Sequence, residues 1–321
     1  MKLFELIGVS AAVSCLLAHD AWPAGYPTKP VRMIVAFSAG GGSDLAARNV
    51  AQKLSEAFGQ SVIVDNRTGA NGAIGAELTA RAPSDGYTLL MLSVAHVIAA
   101  AYETKLSYDM RKDFVAVSQV VQQPYLVVVN LSVPARSIQD LVTLARKKPG
   151  ELNYGSTGVG GSNHLAAELF SAAAGIRMVH VPYKGPPQAL ADVLGGQVQL
   201  MFSSIITGLP LARNGKLRAL AVTSARRSSA APEYPTVGEA LPGYESIGWY
   251  GVVAPRGTPR SVVELLSREI AKGLQSKDLK DRFAADGSET VGSTPTEFEQ
   301  FIQNELARFT KVIGDAGIHK E

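Results

Sequence analysis

The residues best suited to chemistry are Phe37-Ser38-Ala39-Gly40-Gly41-Gly42-Ser43-Asp44, where a β-branched run gives way to glycines and then to a helix start. Glycines let a backbone approach a ligand closely, and the first N–H groups and dipole of a helix favour an anion. Ser43 is a natural N-cap there, and Ser38 adds a hydroxyl donor. Such a loop meets a carboxylate or a phosphate. The stretch Tyr154-Gly155-Ser156-Thr157-Gly158-Val159-Gly160-Gly161-Ser162, followed by Asn163 and His164, offers a second version. Val181-Pro182-Tyr183-Lys184-Gly185 then places an aromatic wall and a cation after a strand, and Lys184 either neutralises a carboxylate or is merely solvated. Two anion-seeking loops fit a clamp on a small acid better than a catalytic centre.

Nucleotide motifs fail on spacing. G-x-G-x-x-G counted from Gly40 needs glycine where Leu45 stands, and no G-x-x-x-x-G-K-[ST] occurs. Gly69-Ala70-Asn71-Gly72-Ala73-Ile74-Gly75 is also off the fingerprint, and reads as a turn that brings the following helix against a sheet. Hydrolytic chemistry lacks its parts too. Neither Ser156 nor Ser162 sits in G-x-S-x-G, because Tyr154 precedes the first and His164 follows the second. His96, His164 and His180 stand singly, without metal-ligand spacing, so no metal and no cofactor is expected. Asp44 and Arg48, four apart, read as a helix ion pair before anything else.

The elements that must hold these loops follow an α/β rhythm. Strands are expected at 31–37, 61–64, 89–92, 125–129, 152–155, 178–181, 198–202, 217–222 and 248–254, with helices at 43–58, 137–148, 162–174, 188–194, 260–274 and 295–313. Such alternation implies parallel sheets with helices on both faces. Gln123-Pro124-Tyr125 and Gly248-Trp249-Tyr250 look like two crossings between domains. The expected lobes are therefore 26–124 with 245–321, and 125–244, with a ligand cleft between them.

At 321 residues the chain has room for two cores, and 46% hydrophobic with 18% charged residues marks an ordinary globular protein. A net charge of +3 gives no reason to expect a nucleic-acid partner. Lys2, the apolar run from Leu6 to Ala18, and small residues at Ala21, Ala24 and Gly25 read as a secretory signal peptide over 1–24, cut near Ala21 or Ala24. Cys15, the only cysteine, lies inside that run; lipidation there is the alternative to simple cleavage. No later stretch of about 20 apolar residues spans a membrane.

The mature chain as a whole resembles the substrate-binding receptors of tripartite tricarboxylate transporters, the Bug receptors. The resemblance is carried by Tyr26 to Pro30, AFSAGGGSDLAAR ending at Arg48, VIVDNRTGANGAIGAE from Val62 to Glu77, Asp85 to Leu90, HVPYKG from His180 to Gly185, and GKLRALAVTSARR from Gly215 to Arg227. It implies a type II periplasmic-binding fold with two lobes that close on a small carboxylate, a di- or tricarboxylate or an aromatic acid. It further implies delivery to membrane transporter subunits, and a receptor acting as a monomer without catalysis. Ligand contacts carried over are Phe37 to Asp44 (Phe37, Ser38, Ala39, Gly40, Gly41, Ser43 and Asp44), the turn from Ser93 to His96, and Ser156, Thr157, Ser162, His164 and Tyr183 in the second lobe, with Ser203 expected to join them. Ser203-Ser204 replaces a common Asp-Asn, and Ala36, Asp65 and Thr68 also depart from the usual pattern. A buried amine needs a carboxylate partner, so losing that acid at Ser203 favours a plain organic acid over an amino acid. The alternatives are an α/β enzyme or cofactor-binding protein acting on a small carboxylate, or the sensing domain of a transcription regulator, which would require a helix-turn-helix segment.

Overall fold

The computed structural model describes residues 25–37, 39–102, 106–183, 186–285 and 287–315. The signal-peptide segment, Cys15, Ser38, Lys184 and the last six residues lie outside them. In chain order the strands are β1 Val31–Val35, β2 Val62–Asn66, β3 Thr88–Ser93, β4 Phe114–Val129, β5 Asn153–Ser156, β6 Val179–Pro182, β7 Leu200–Ser204, β8 Arg218–Val222, β9 Ile247–Pro255 and β10 Glu289–Thr290. The α-helices are α1 Gly42–Phe58, α2 Ala73–Ala80, α3 Val94–Tyr102, α4 Ile138–Lys147, α5 Ser162–Ala174, α6 Pro186–Gly195, α7 Ile205–Arg213, α8 Arg260–Leu274, α9 Lys277–Ala285 and α10 Pro295–Asp315.

Strand side chains alternate between two faces, and the apolar residues use both. Met33 and Val35 enter one core with α1 and α8, whereas Ile34 of the same strand enters another with α3 and α10. Across the molecule Val127 and Val129 join one core, Leu126 and Val128 the next. This two-sided burial explains why these strands read as unbroken apolar runs. The result is a two-lobe α/β fold.

The expectation of parallel sheets holds only in part. β2, β1 and β3 are parallel, as are β6, β5 and β7. β9 runs antiparallel to β3, and β4 runs antiparallel to β7, β8, β9 and β10. The reason is the path of the chain. β4 and β9, far apart in the chain, lie side by side in opposite directions, and hydrophobic periodicity carries no sign of direction. β4 is 16 residues long, twice the usual span or more. Its first half pairs β9, and its second half pairs β7 and β8. Gln123 pairs Gly248 and Pro124 pairs Ile247, so the two segments expected to cross between domains are hydrogen-bonded neighbours. Thr223 ties the junction: its Oγ1 accepts the Tyr125 N–H at 2.7 Å, and its carbonyl accepts the Ser246 N–H at 2.9 Å.

No helix among the described residues is long and apolar enough to cross a membrane.

Candidate functional site

The glycine loop after β1 is shaped from within. Asp44, almost fully buried, accepts the Gly40 N–H at 2.9 Å and the Arg48 Nε–H at 2.9 Å on one oxygen, and Asn66 Nδ2–H at 3.0 Å on the other. Burial raises this carboxyl's pKa, but these donors outweigh it and hold the group below its ordinary value. Drawing Gly40 back over the first turn starts the helix early. Gly41 is the N-cap, without a side-chain cap bond, and Ser43 lies buried inside α1. The expectation that Ser43 caps the helix is therefore corrected. Gly42 is needed on steric grounds, because a Cβ there would lie 2.5 Å from the Tyr250 hydroxyl.

The segment from Ser93 to His96 is a direct strand-to-helix junction, not the expected turn. Ser93 ends β3 and Val94 begins α3. The Ser93 N–H donates to His96 Nδ1 at 3.1 Å, which leaves the ring proton on Nε2. Burial holds His96 neutral, lowering its pKa to about 4. Among the described residues its buried Nε2 has no hydrogen-bond partner; it lies beside Gly72, and the ring packs edge-on against Phe37 at 5.3 Å. The Gly69–Gly75 turn does bring α2 against the sheet: a Cβ on Gly75 would meet the Ala36 Cβ at 2.8 Å.

In the second lobe the loop after β5 leads into α5, whose N-cap Gly161 likewise has no side-chain cap bond. The histidines that stand singly in the sequence pair in space. His164 and His180 stack, and Tyr154 stacks on His180 at 5.1 Å. Each imidazole holds the loop. His164 Nδ1 accepts the Gly160 N–H, and His180 Nε2 shares a hydrogen bond with the Ser156 hydroxyl. Asn163 Oδ1 accepts from Thr157 Oγ1 at 2.9 Å.

These loops meet in a cavity of about 240 Å³, lined by Phe37, the α3 residues Ala95, Ile98, Ala99 and Tyr102, and by Thr157 and Val159 to Ser162 of the second loop. Larger depressions of about 470 and 550 Å³ lie elsewhere, and neither includes a residue from either glycine loop.

A model of the tripartite tricarboxylate transporter family receptor matches residues 46–318. The chain belongs to this family. It is a family of substrate-binding receptors. The receptor is 36% identical to BugT of Bordetella pertussis over 98% of both chains. Among solved structures it is similar to R. palustris Rpa4515 with adipate, at 37% identity and TM-score 0.78, covering 92% of this chain and 99% of that one. It is also similar to MatC (Rpa3494) from Rhodopseudomonas palustris with bound malate, at 29% identity and TM-score 0.75, covering 90% and 100%.

Of the residues expected to bind ligand in this receptor, Phe37, Thr157 and Ser162 line the cavity. Ala39, Gly40 and Gly41 form the exposed rim of the first loop, and Asp44 shapes it. Ser93, His96, Ser156 and His164 are buried behind the walls. Tyr183 gives its hydroxyl to Asp192 at 2.6 Å, and buried Ser203 bonds Thr207 Oγ1 at 2.9 Å under α7. Neither is among the lining residues. Sequence reasoning missed the α3 stripe. Its signal was present: 95, 98, 99 and 102 share one helix face.

Proposed function

We propose that the chain is a periplasmic receptor that captures a small carboxylate and delivers it to the membrane subunits of a tripartite tricarboxylate-type transporter. The observation that carries this reading is the cavity walled by both lobes, with the start of α5, whose N-cap is the side-chain-free Gly161, at its edge. First-turn N–H groups without intrahelical acceptors seek an anion or water. Adipate on one relative and malate on another support a carboxylate as that anion. The lobes divide at Pro124 and Tyr125 on the outward crossing and at Tyr244 and Glu245 on the return. Export fits the family and the apolar run from Leu6 to Ala18.

An enzymatic reading would need a nucleophile that meets the ligand. Serine–imidazole contacts occur at Ser156 with His180 and Ser93 with His96, but both serines are buried and none of the four residues lines the cavity. Capture without catalysis suits such a site. Binding to the native state alone raises apparent stability by about 2.7 kcal/mol at a hundredfold excess over Kd. A thermal-shift panel of mono-, di- and tricarboxylates on ligand-free protein tests the reading. A rise in Tm with at least one acid is expected; no shift with any acid would sink it.

A further inference from the structure

We propose that α10 couples the cavity wall to the hinge, holding the return crossing through Arg308 and Glu305 and thereby setting how tightly the receptor keeps its ligand. The inference rests on the receptor reading above and on the division of the lobes at Tyr244 and Glu245. Those two neighbours are tied to opposite sides. The Tyr244 hydroxyl donates to the Ala166 carbonyl of α5 at 2.9 Å, whereas the Glu245 carbonyl accepts Arg308 Nη1–H of α10 at 2.6 Å. The Ser246 N–H then returns to the Thr223 carbonyl, and Thr223 Oγ1 takes the Tyr125 N–H. A hydrogen bond between lobes outlasts their rotation only close to the axis. The axis therefore passes here, and the link between Tyr244 and Glu245 takes up the turn.

Arg308 can hold that carbonyl because Glu305 holds Arg308. Arg308 Nη2 lies 2.6 Å from Glu305 Oε1, while Glu305 Oε2 accepts the Trp249 Nε1–H at 3.1 Å. One turn of α10 thus grips the returning chain at two points. Glu305 is only 6% exposed, and burial raises its carboxyl pKa although Arg308 and Trp249 pull it down. A buried ion pair of this kind adds little stability by itself, so what it supplies here is position. The same helix places Ile302, Leu306 and Phe309 in the core that holds Val97 and Ile98 of α3, and Ile98 lines the cavity. A shift at either end is carried by one helix. Apparent affinity falls with the fraction of molecules in the closed placement, so a slack hinge weakens binding without touching the ligand.

The test compares the parent, as mature protein shown by native mass spectrometry to be free of retained ligand, with variants prepared in the same way. Glu305→Leu combined with Arg308→Met removes both hinge bonds and leaves no unpaired charge, so it is expected to fold. Arg308→Lys keeps a charge beside Glu305 and loses the fork that also serves Glu245. Leu54→Ala lowers Tm by opening a cavity in the core of α1 and α8, a different one from that of α10. Small-angle scattering is expected to give the double variant a larger radius of gyration than the parent. Calorimetric titration with adipate, the acid on one relative, is expected to give it a Kd at least tenfold weaker, with Arg308→Lys in between and Leu54→Ala at the parent's values. An unchanged Kd in the double variant would overturn the coupling and leave the receptor standing. Equal weakening in Leu54→Ala would assign the loss to general stability and overturn the coupling as well. If adipate does not bind the parent, scattering decides alone: a larger radius in the double variant supports the coupling and an equal one overturns it, while the receptor reading answers to the acid panel above.

Discussion

His164 and His180 lie face to face with ring centroids 3.9 Å apart and 26° between their planes. Burial lowers the pKa of both, and the charge of His180 further disfavours a charge on His164. The pair is therefore neutral. A proton added to His164 Nδ1 would turn the acceptor of the Gly160 N–H into a second donor, breaking the loop that faces the cavity.

Acid should destabilise the fold through these groups and His96. All three have folded pKa values below the unfolded value of about 6.5, so the unfolded chain binds more protons as pH falls through that value. Their stability is fully present above pH ~6.5 and is lost progressively below it. The slope approaches about 1.4 kcal/mol per pH unit for each histidine that titrates only on unfolding. Urea denaturation between pH 7 and pH 5 measures it. His164→Gln keeps an acceptor for Gly160 and should flatten the slope by up to one proton; an unchanged slope would show that His164 titrates alike in both states.

Adjacent glycines should respond differently. Gly41 is extended, with φ −79° and ψ 168°, so Gly41→Val should fold with nearly the parent Tm and impair ligand approach at the rim. Gly42→Val drives a side chain into the Tyr250 hydroxyl and should cost about 1–3 kcal/mol. Pairing Gly42→Ala with Tyr250→Phe should recover part of that loss relative to Gly42→Ala alone. Equal Tm values for Gly41→Val and Gly42→Val would contradict this packing.

Asp44 should matter more than its ion-pair partner. Asp44→Ala removes the part-buried hydrogen bonds from the Gly40 N–H and from Asn66 Nδ2 to a charged carboxylate and should cost about 2 kcal/mol. Arg48 is half exposed, and Arg48→Ala leaves the Gly40 and Asn66 bonds in place, so under ~1 kcal/mol is expected. Chemical denaturation of the two variants gives the comparison, and a larger loss for Arg48→Ala would refute the assigned role.

Leu165 of α5 is fully buried in the core that holds Leu92, Trp249 and Phe298 of the first lobe. Leu165→Ala should cost about 2–5 kcal/mol, and it should loosen the lobes as well as the core. Small-angle scattering should report a larger radius of gyration for ligand-free Leu165→Ala than for the ligand-free parent. Identical scattering curves would mean that α5 does not restrain the lobes.

Much of this protein was legible in the sequence. Runs such as Val31 to Val35 and Leu89 to Leu92, spaced by amphipathic helices, specify buried strands and their helical cover because local side-chain chemistry sets both. The glycine loops announced themselves in the same way, and so did the family, through motifs written in consecutive residues. What the sequence could not show depends on contacts between distant residues. The antiparallel course of β4 and β9 comes from pairing between strands more than a hundred positions apart. His164 and His180, sixteen positions apart, become neighbours only when β6 pairs with β5 beside the start of α5. Tyr183 and Ser203 look available in sequence, yet packing gives their hydroxyls to Asp192 and Thr207. The apolar face of α3 becomes a cavity wall only because the loop from Thr157 to Ser162 is placed beside it, and no local pattern encodes that placement.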